Sequence, residues 1–312
     1  MKSQDIQVSV CIVTYNQEKY IAECLDSLLS QKTNFKFEII IGEDCSTDGT
    51  RAIIQSYIEK YPSLIVPLFY KNNVGAVENI KQVYKKAKGK YIAHMDGDDL
   101  ALPNKLQKQF DVLEINPDCS ICVHNMDAID GSSQKMSRAF SLFEEKKYSL
   151  LDMYLINPFF IHSSKMFVNK IDEYIDQLNE NALDIEVHIE QAKQGDIYFV
   201  GECLGVYRQF IGVTYEGKLI NPLILERIQD VYYKFPSRKF TVDDISKVKR
   251  KYAYILLQYE NHYLIHNDVK KAKEFFFKSI KYHIGILSIL FSTVIFFPKI
   301  LRKILIYRNQ RK

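Results

Sequence analysis

VSVCIVTYNQEKYIAECLDSLLSQ, residues 8–31, is the stretch whose reading decides the fold. Residues 8–13 are an apolar run of strand length, and Ile21, Leu25, Leu28 and Leu29 then recur at helical spacing. A strand that turns over a few polar residues into an amphipathic helix is the building unit of a parallel α/β sheet. The unit repeats in type, though not in sequence. Residues 37–41 read as strand and 53–61 as helix, 64–70 as strand and 77–87 as helix, and 91–95 as a fourth strand. Strands alternating with helical crossovers imply one doubly wound sheet, and the lack of any fixed-period repeat excludes a solenoid.

In such sheets ligands bind beyond the carboxyl ends of the strands. Three strands here end in polar turns: Thr14-Tyr15-Asn16, Glu43-Asp44-Cys45-Ser46 and Asp96-Gly97-Asp98-Asp99. These turns are expected to converge on one crevice. Carboxylates crowded in a crevice repel one another, and a divalent cation is the simplest reason to gather them. Asp-Gly-Asp offers two hard oxygen ligands on one side of a tight turn, and Gly97 lets the backbone come close to an ion. Magnesium or manganese held by so few protein oxygens keeps positions open for a diphosphate. Asp98 or Asp99 could instead cap the helix that starts at Pro103.

Working outward, that helix runs to about residue 115, where Asn116-Pro117 stops it, and residues 119–129 form a further strand. Residues 131–147 are polar and aperiodic and read as a mobile loop. Asn157-Pro158 breaks the chain; residues 159–168 read as strand, 185–192 as helix and 197–206 as paired strands. From residue 219 onward the pattern is helical, with residues 252–282 forming two antiparallel helices broken at His266-Asn267-Asp268. The division expected is a catalytic domain over 1–215, split into 1–125 and 126–215, a helical extension over 216–283 and an apolar, basic tail over 284–312.

Of the 312 residues, 47% are apolar and 26% charged, which suits a globular core. The formal charge is +4, yet residues 275–312 carry eight Lys or Arg and no acid, so the rest of the chain stands at −4. Basic character confined to a tail argues against nucleic acid and for a local anionic partner. Six cysteines scattered through apolar segments, after a polar MKSQDIQ start, read as reduced cytoplasmic thiols. Cys119 and Cys122 with His124 lack a second ligand pair for a structural zinc. The turn after the first strand, TYNQEK, has no glycine, which excludes the dinucleotide fingerprint of a dehydrogenase.

Residues 8–31, then FEIIIGEDCSTDGT (37–50), then GKYIAHMDGDDLALPNKLQKQ (89–109) together resemble the family 2 glycosyltransferases of the GT-A fold. A looser resemblance continues through DIEVHIEQAKQGDIYFVGECLGVYR (184–208), similar to the acceptor side of bacterial members. The resemblance implies a Rossmann-like, doubly wound mixed sheet with a C-terminal helical extension. It implies an inverting transfer of a sugar from a nucleotide-diphosphate donor, a UDP-sugar, to a hydroxyl of a glycan or lipid-linked acceptor. Manganese or magnesium is the implied cofactor.

Within the TYN turn of Thr14, Tyr15 and Asn16, the resemblance makes Tyr15 stack on the base, while Asp44 accepts its N3–H. Asp96 meets the ribose or the metal through water, Asp98 ligates the metal and Asp99 holds the turn. Asp184 matches the general base, with Glu186 or Glu190 taking that face if Asp184 only caps its helix. Arg208 is the candidate clamp on the diphosphate, and His162 either touches substrate or is a satisfied core histidine. Departures are Val13, Glu43, Cys45 and Gln209, the last standing where relatives have a nearby histidine. The chain has no tryptophan, so the Trp-containing motif of processive synthases is absent and one sugar per acceptor is expected. A non-catalytic sugar-nucleotide binder of the same fold is the alternative. The 14-residue apolar run 284–297 is too short for an ordinary span. With the basic helix after it, it is expected to hold the protein peripherally on the inner face of the cytoplasmic membrane, unless it packs as a buried helix.

Overall fold

The computed structural model describes residues 6–137, 143–156, 159–209, 222–285 and 298–309. The chain divides into two compact units, Met1–Tyr215 and Glu216–Lys312. In the first, β1 (Val8–Thr14), α1 (Ile21–Leu29), β2 (Phe37–Glu43), α2 (Thr50–Lys60), β3 (Ile65–Phe69), α3 (Ala76–Lys86) and β4 (Tyr91–Asp96) follow the alternation read from the sequence. Then come β5 (Leu100–Ala101), α4 (Lys105–Ile115), β6 (Cys119–Ile129), β7 (Lys135–Ser137), β8 (Lys146–Tyr148), α5 (Leu150–Ile156), β9 (Met166–Val168), α6 (Asp184–Ala192) and β10 (Asp196–Arg208).

The strands form one mixed sheet in the order β3-β2-β1-β4-β9-β6-β10-β5, with β7 beside β6 and β8 beside β10. β3, β2, β1 and β4 run parallel, while β9 is antiparallel to both its neighbours. The chain first winds outward through β2 and β3 and then returns to the other side of β1 as β4. The order therefore reverses between β1 and β4, and a crevice opens at their carboxyl ends. Register brings the turns together, since Val13 pairs with Asp96 and Thr14 with Glu43.

The apolar runs are buried because both faces of the central strands are covered. Val8, Val10 and Ile12 pack with Ile39, Ile41, Ala93 and Met95 under Ile21, Cys24, Leu25 and Leu28 of α1. Cys11 and Ile40 face the other way and are equally buried. At roughly 25 cal/mol per Å² of apolar surface removed from water, each such residue contributes about 1.5–3 kcal/mol.

Three expectations are corrected. Residues 159–168 are not one strand: His162–Ser164 is a 3-10 turn and only Met166–Val168 pairs in the sheet. The turn is favoured because Ser163 bonds to the end of β4. Residues 197–206 are not paired strands but part of β10, a single strand whose register slips on β6 between Val200 and Gly205. Gly201 and Gly205 sit at that irregularity. The stretch read as a mobile loop contains β7 and β8, and its residues 138–142 lie outside the described residues.

Cys119 and Cys122 are buried and free, and His124 Nε2 meets Lys105 Nζ at 2.9 Å.

The second unit contains α7 (Pro222–Tyr233), α8 (Val242–Ile265), α9 (Val269–Tyr282) and α10 (Pro298–Asn309). Thr241 caps α8 by accepting the Asp244 amide, and the α8–α9 break falls at residues 266–268, where Asn267 is left-handed at φ 68°. Of the apolar run 284–297, residues 286–297 lie outside the described residues. Among those described, no helix is long and apolar enough to cross a membrane. On α10 the apolar residues do not all share one face: Leu305 is buried, whereas Ile300, Ile304 and Tyr307 are exposed.

Candidate functional site

The TYN turn is shaped by Asn16, which takes the left-handed region at φ 53°, a conformation asparagine tolerates. Its backbone N–H donates to Ser46 Oγ at 3.0 Å and its Oδ1 accepts the Thr47 amide at 2.8 Å. Asn16 thus ties the β1 turn to the β2 turn. Thr14 is buried and donates to Gln17 Oε1 at 2.7 Å. Of the three residues of this turn expected at the nucleotide, Tyr15 is the one with an open ring, 39% exposed.

Asp44 is buried, and its two carboxylate oxygens accept the Val74 and Gly75 amides at 2.6 and 3.0 Å. It pins the β3–α3 loop to the end of β2, and Gly75 can follow because it sits at φ 86°. A carboxylate has about four acceptor directions, so Asp44 keeps capacity for a base N–H. At the start of α2 it is Asp48 whose Oδ1 accepts both the Thr50 amide and hydroxyl. Glu43 pairs with Arg51 and accepts the Ser46 amide.

At the end of β4, Asp96 accepts from His94 Nε2 at 3.2 Å and from Ser163 Oγ at 3.1 Å. The Tyr84 hydroxyl donates to His94 Nδ1 at 2.9 Å, which leaves the ring proton on Nε2. Burial opposes ionisation of Asp96, but the His94 and Ser163 bonds and the Lys165 charge outweigh it and hold its pKa below the usual carboxylate range. Asp98 behaves oppositely: burial, then the charge of Asp96, pushes it up to about 7. Burial and both neighbouring carboxylates push Asp99 well above its ordinary value. Asp99 Oδ1 accepts the Arg208 amide at 2.9 Å, while its buried Oδ2 has no partner. A Cβ on Gly97 would lie 2.4 Å from Gln17 Oε1 and 2.9 Å from Thr14 Cβ, so a side chain there would displace residues of the TYN turn.

This turn fits a divalent cation. Its donors are hard carboxylate oxygens, one is buried and unpartnered, and their mutual repulsion would be relieved by a positive ion. Among the described residues no three His, Cys, Asp or Glu side chains are grouped to hold an ion by themselves. A site of one or two carboxylates completed by phosphate oxygens is what magnesium and manganese ordinarily use.

Arg208 corrects an expectation. Its side chain is 1% exposed, and four of its bonds are internal. It donates to the Asp98 carbonyl at 3.1 Å, the Asp130 carbonyl at 3.3 Å, Ser133 Oγ at 2.9 Å and Glu23 Oε2 at 2.9 Å. Its guanidinium also lies 4.5 Å over the Tyr20 ring. The group expected on the diphosphate instead braces the aspartate turn from behind.

Asp184 is the first residue of α6, and α6 closes its own start through the Leu183 amide and Glu186 Oε2 at 2.9 Å. Asp184 is therefore left free of the capping role. Its side chain is 65% exposed, but into a recess: a cavity of about 220 Å³ lined by Asp96, Asp184, His162, His188, Phe160 and Tyr207 among others. Burial within that recess, then the charge of Asp96, pushes the Asp184 carboxyl up to about 6 against the pull of Lys165. Lys165 is fully buried, and that burial pushes its own pKa down to about 7. One cavity thus reaches from Asp96, at the start of the aspartate turn, to the candidate base Asp184.

His94, Ser163, Lys165, His188 and Glu23 were not singled out from the sequence. Two of them carried a signal: His94 stands two residues before Asp96 and so on the same face of β4, and His188 stands four residues after Asp184, one helical turn on.

The family model described as Glycosyl transferase family 2 matches residues 9–175. The uncharacterized protein Rv1520 of Mycobacterium tuberculosis is 34% identical over 205 residues, 65% of this chain and 58% of that relative. The chain so matches somewhat over half the length of that relative. The putative teichuronic acid biosynthesis glycosyltransferase TuaG of Bacillus subtilis is 39% identical over 106 residues, 34% of this chain and 41% of that protein. Among solved structures, Staphylococcus aureus TarS 1-349 in complex with UDP-GlcNAc superposes with a TM-score of 0.61 at 16% identity, covering 98% of this chain and 92% of that one. The mannosyltransferase PcManGT of Pyrobaculum calidifontis, in complex with GDP-Man and Mn2+, gives 0.59 at 13% identity, covering 98% and 85%. These likenesses establish the GT-A fold for the mixed sheet described above.

Proposed function

Because this chain belongs to glycosyl transferase family 2, we propose that it transfers one hexosyl or N-acetylhexosaminyl group, with inversion, from a UDP-sugar to a hydroxyl of a cell-surface glycan or its lipid-linked precursor. The observation that carries this reading is the shared cavity, which Asp96 and Asp184 both line. The acceptor oxygen attacks the anomeric carbon and gives its proton to Asp184. The bond from that carbon to the diphosphate breaks, and the electron pair leaves with the nucleoside diphosphate. Asp184, with a pKa near 6, is ionised at neutral pH yet basic enough to take that proton. Asp98, aided by Asp96, would hold manganese or magnesium, which when bound supplies positive charge to the leaving diphosphate. Tyr15 offers its exposed ring to the base, and Asp44 has acceptor capacity beside it.

We further assign the protein to the cytoplasmic face of the membrane, through Lys299 and Lys303 of α10 and the exposed Ile300, Ile304 and Tyr307 of the same helix.

The test is a panel of UDP-, GDP- and dTDP-sugars with manganese, read as release of nucleoside diphosphate. One donor should be turned over, and Asp184→Asn should abolish that turnover while leaving nucleotide affinity within about threefold. Loss of nucleotide affinity in Asp184→Asn would instead assign that carboxylate to the donor.

A further inference from the structure

Two imidazoles stand behind the carboxylate assigned above as base. His188 follows Asp184 by four residues on α6, so both rise from the same helix face. His188 Nε2 lies 3.0 Å from His162 Nδ1, and the same Nδ1 lies 3.5 Å from Asp184 Oδ1. Both rings are held in place. Phe160 lies against His188 with centroids 4.4 Å apart, and His94 meets His162 edge-on at 3.8 Å.

Burial, joined by the charges of Lys165 and neighbouring histidines, keeps both rings well below the ordinary imidazole pKa, so each is neutral and carries one ring proton. Of the two facing nitrogens one must donate and the other accept. With the proton on His162 Nδ1, an N–H points between His188 Nε2 and the Asp184 carboxylate. The reverse tautomer would set a lone pair of His162 against a carboxylate oxygen. The first form also leaves a bare acceptor, and not a stranded N–H, at His162 Nε2, which is buried and has no partner.

We propose that His162, fixed in that tautomer by His188, is the positioning residue that aims the Asp184 carboxylate into the cavity. The Nδ1–Asp184 separation is long for a hydrogen bond, and such contacts tighten when substrate closes the site. The groups facing Asp184 are then Asp96 from β4, Lys165 ahead of β9, and the two histidines. This inference rests on Asp184 being the base.

Asparagine presents its amide near where Nδ1 sits, whereas glutamine presents it near Nε2. The pairing therefore predicts opposite preferences at the two sites. In the full chain with manganese, and with the sugar nucleotide that the donor panel selects, His162→Asn and His188→Gln should keep kcat within about threefold. His162→Gln and His188→Asn should lose about 10- to 100-fold, the cost typical of a misplaced catalytic group, with donor KM unchanged. Melting temperature checks that each variant folds, and if one histidine tolerates no change, the pair at the other decides. A role in packing alone predicts no such crossover. Equal losses in all four folded variants, or the opposite preference, would overturn the proposal while Asp184→Asn remained inactive. A fully active Asp184→Asn would instead remove the base itself, and this inference with it.

Discussion

Replacing Arg208 by alanine tests whether this residue braces the fold or grips the donor. The buried guanidinium makes four hydrogen bonds inside the protein, to the Asp98 and Asp130 carbonyls, Ser133 and Glu23. Glu23 is 56% exposed, so that ion pair contributes at most about 1 kcal/mol. The other three bonds, made by a buried charge, leave carbonyls and a hydroxyl unpaired when lost, at about 1 kcal/mol each. Removing the stacking on Tyr20 adds about 0.5–1 kcal/mol. The total is about 3–5 kcal/mol, which for a unit of this size lowers Tm by about 6–20 °C. Thermal unfolding followed by circular dichroism measures it. Arg208→Lys should recover less than half of the loss, because an ammonium cannot span acceptors arranged for a planar fork. An unchanged Tm together with a collapse in donor affinity would refute this reasoning and return Arg208 to the diphosphate.

Three further outcomes follow from the site and the tail. Asp98→Asn should reduce turnover by about 100-fold or more and abolish the rise in Tm that manganese gives the unmodified protein; a retained manganese-dependent rise would remove Asp98 from the metal. Asp184 works only as the carboxylate, and its pKa is raised to about 6, so with manganese saturating, which keeps Asp98 ionised, kcat/KM should be level above that pH and fall about tenfold per unit below it. A flat profile down to pH 5 with the fold intact would exclude Asp184 as base. Lys299→Glu combined with Lys303→Glu should weaken binding to vesicles containing anionic lipid by at least about 30-fold, at about 1 kcal/mol per cation, and unchanged binding would dismiss the membrane assignment.

The succession from β1 to β4 was legible residue by residue, because strand and helix periodicity are local and apolar runs covered on both faces have few alternative readings. The acid-bearing turns were legible for the same reason: a strand's carboxyl end is a position in sequence. That is why Asp96, Asp98 and Asp44 could be marked without knowing the packing. What surrounds them was not legible, since a buried polar group is satisfied by whichever partner the fold delivers, at any separation along the chain. Arg208 reaches Asp98 across 110 residues and Glu23 across 185. Asp44 binds backbone amides 30 and 31 residues away, and Ser163 meets Asp96 from 67 residues away. Nothing in the composition of residues 161–164 distinguished a strand from the turn that sets His162 beside His188 and Asp184. By itself the sequence determined a doubly wound sheet and the carboxylates at its crevice. Only the tertiary structure decided which polar side chains hold those carboxylates and which face the cavity, because hydrogen bonding and desolvation act between neighbours in space.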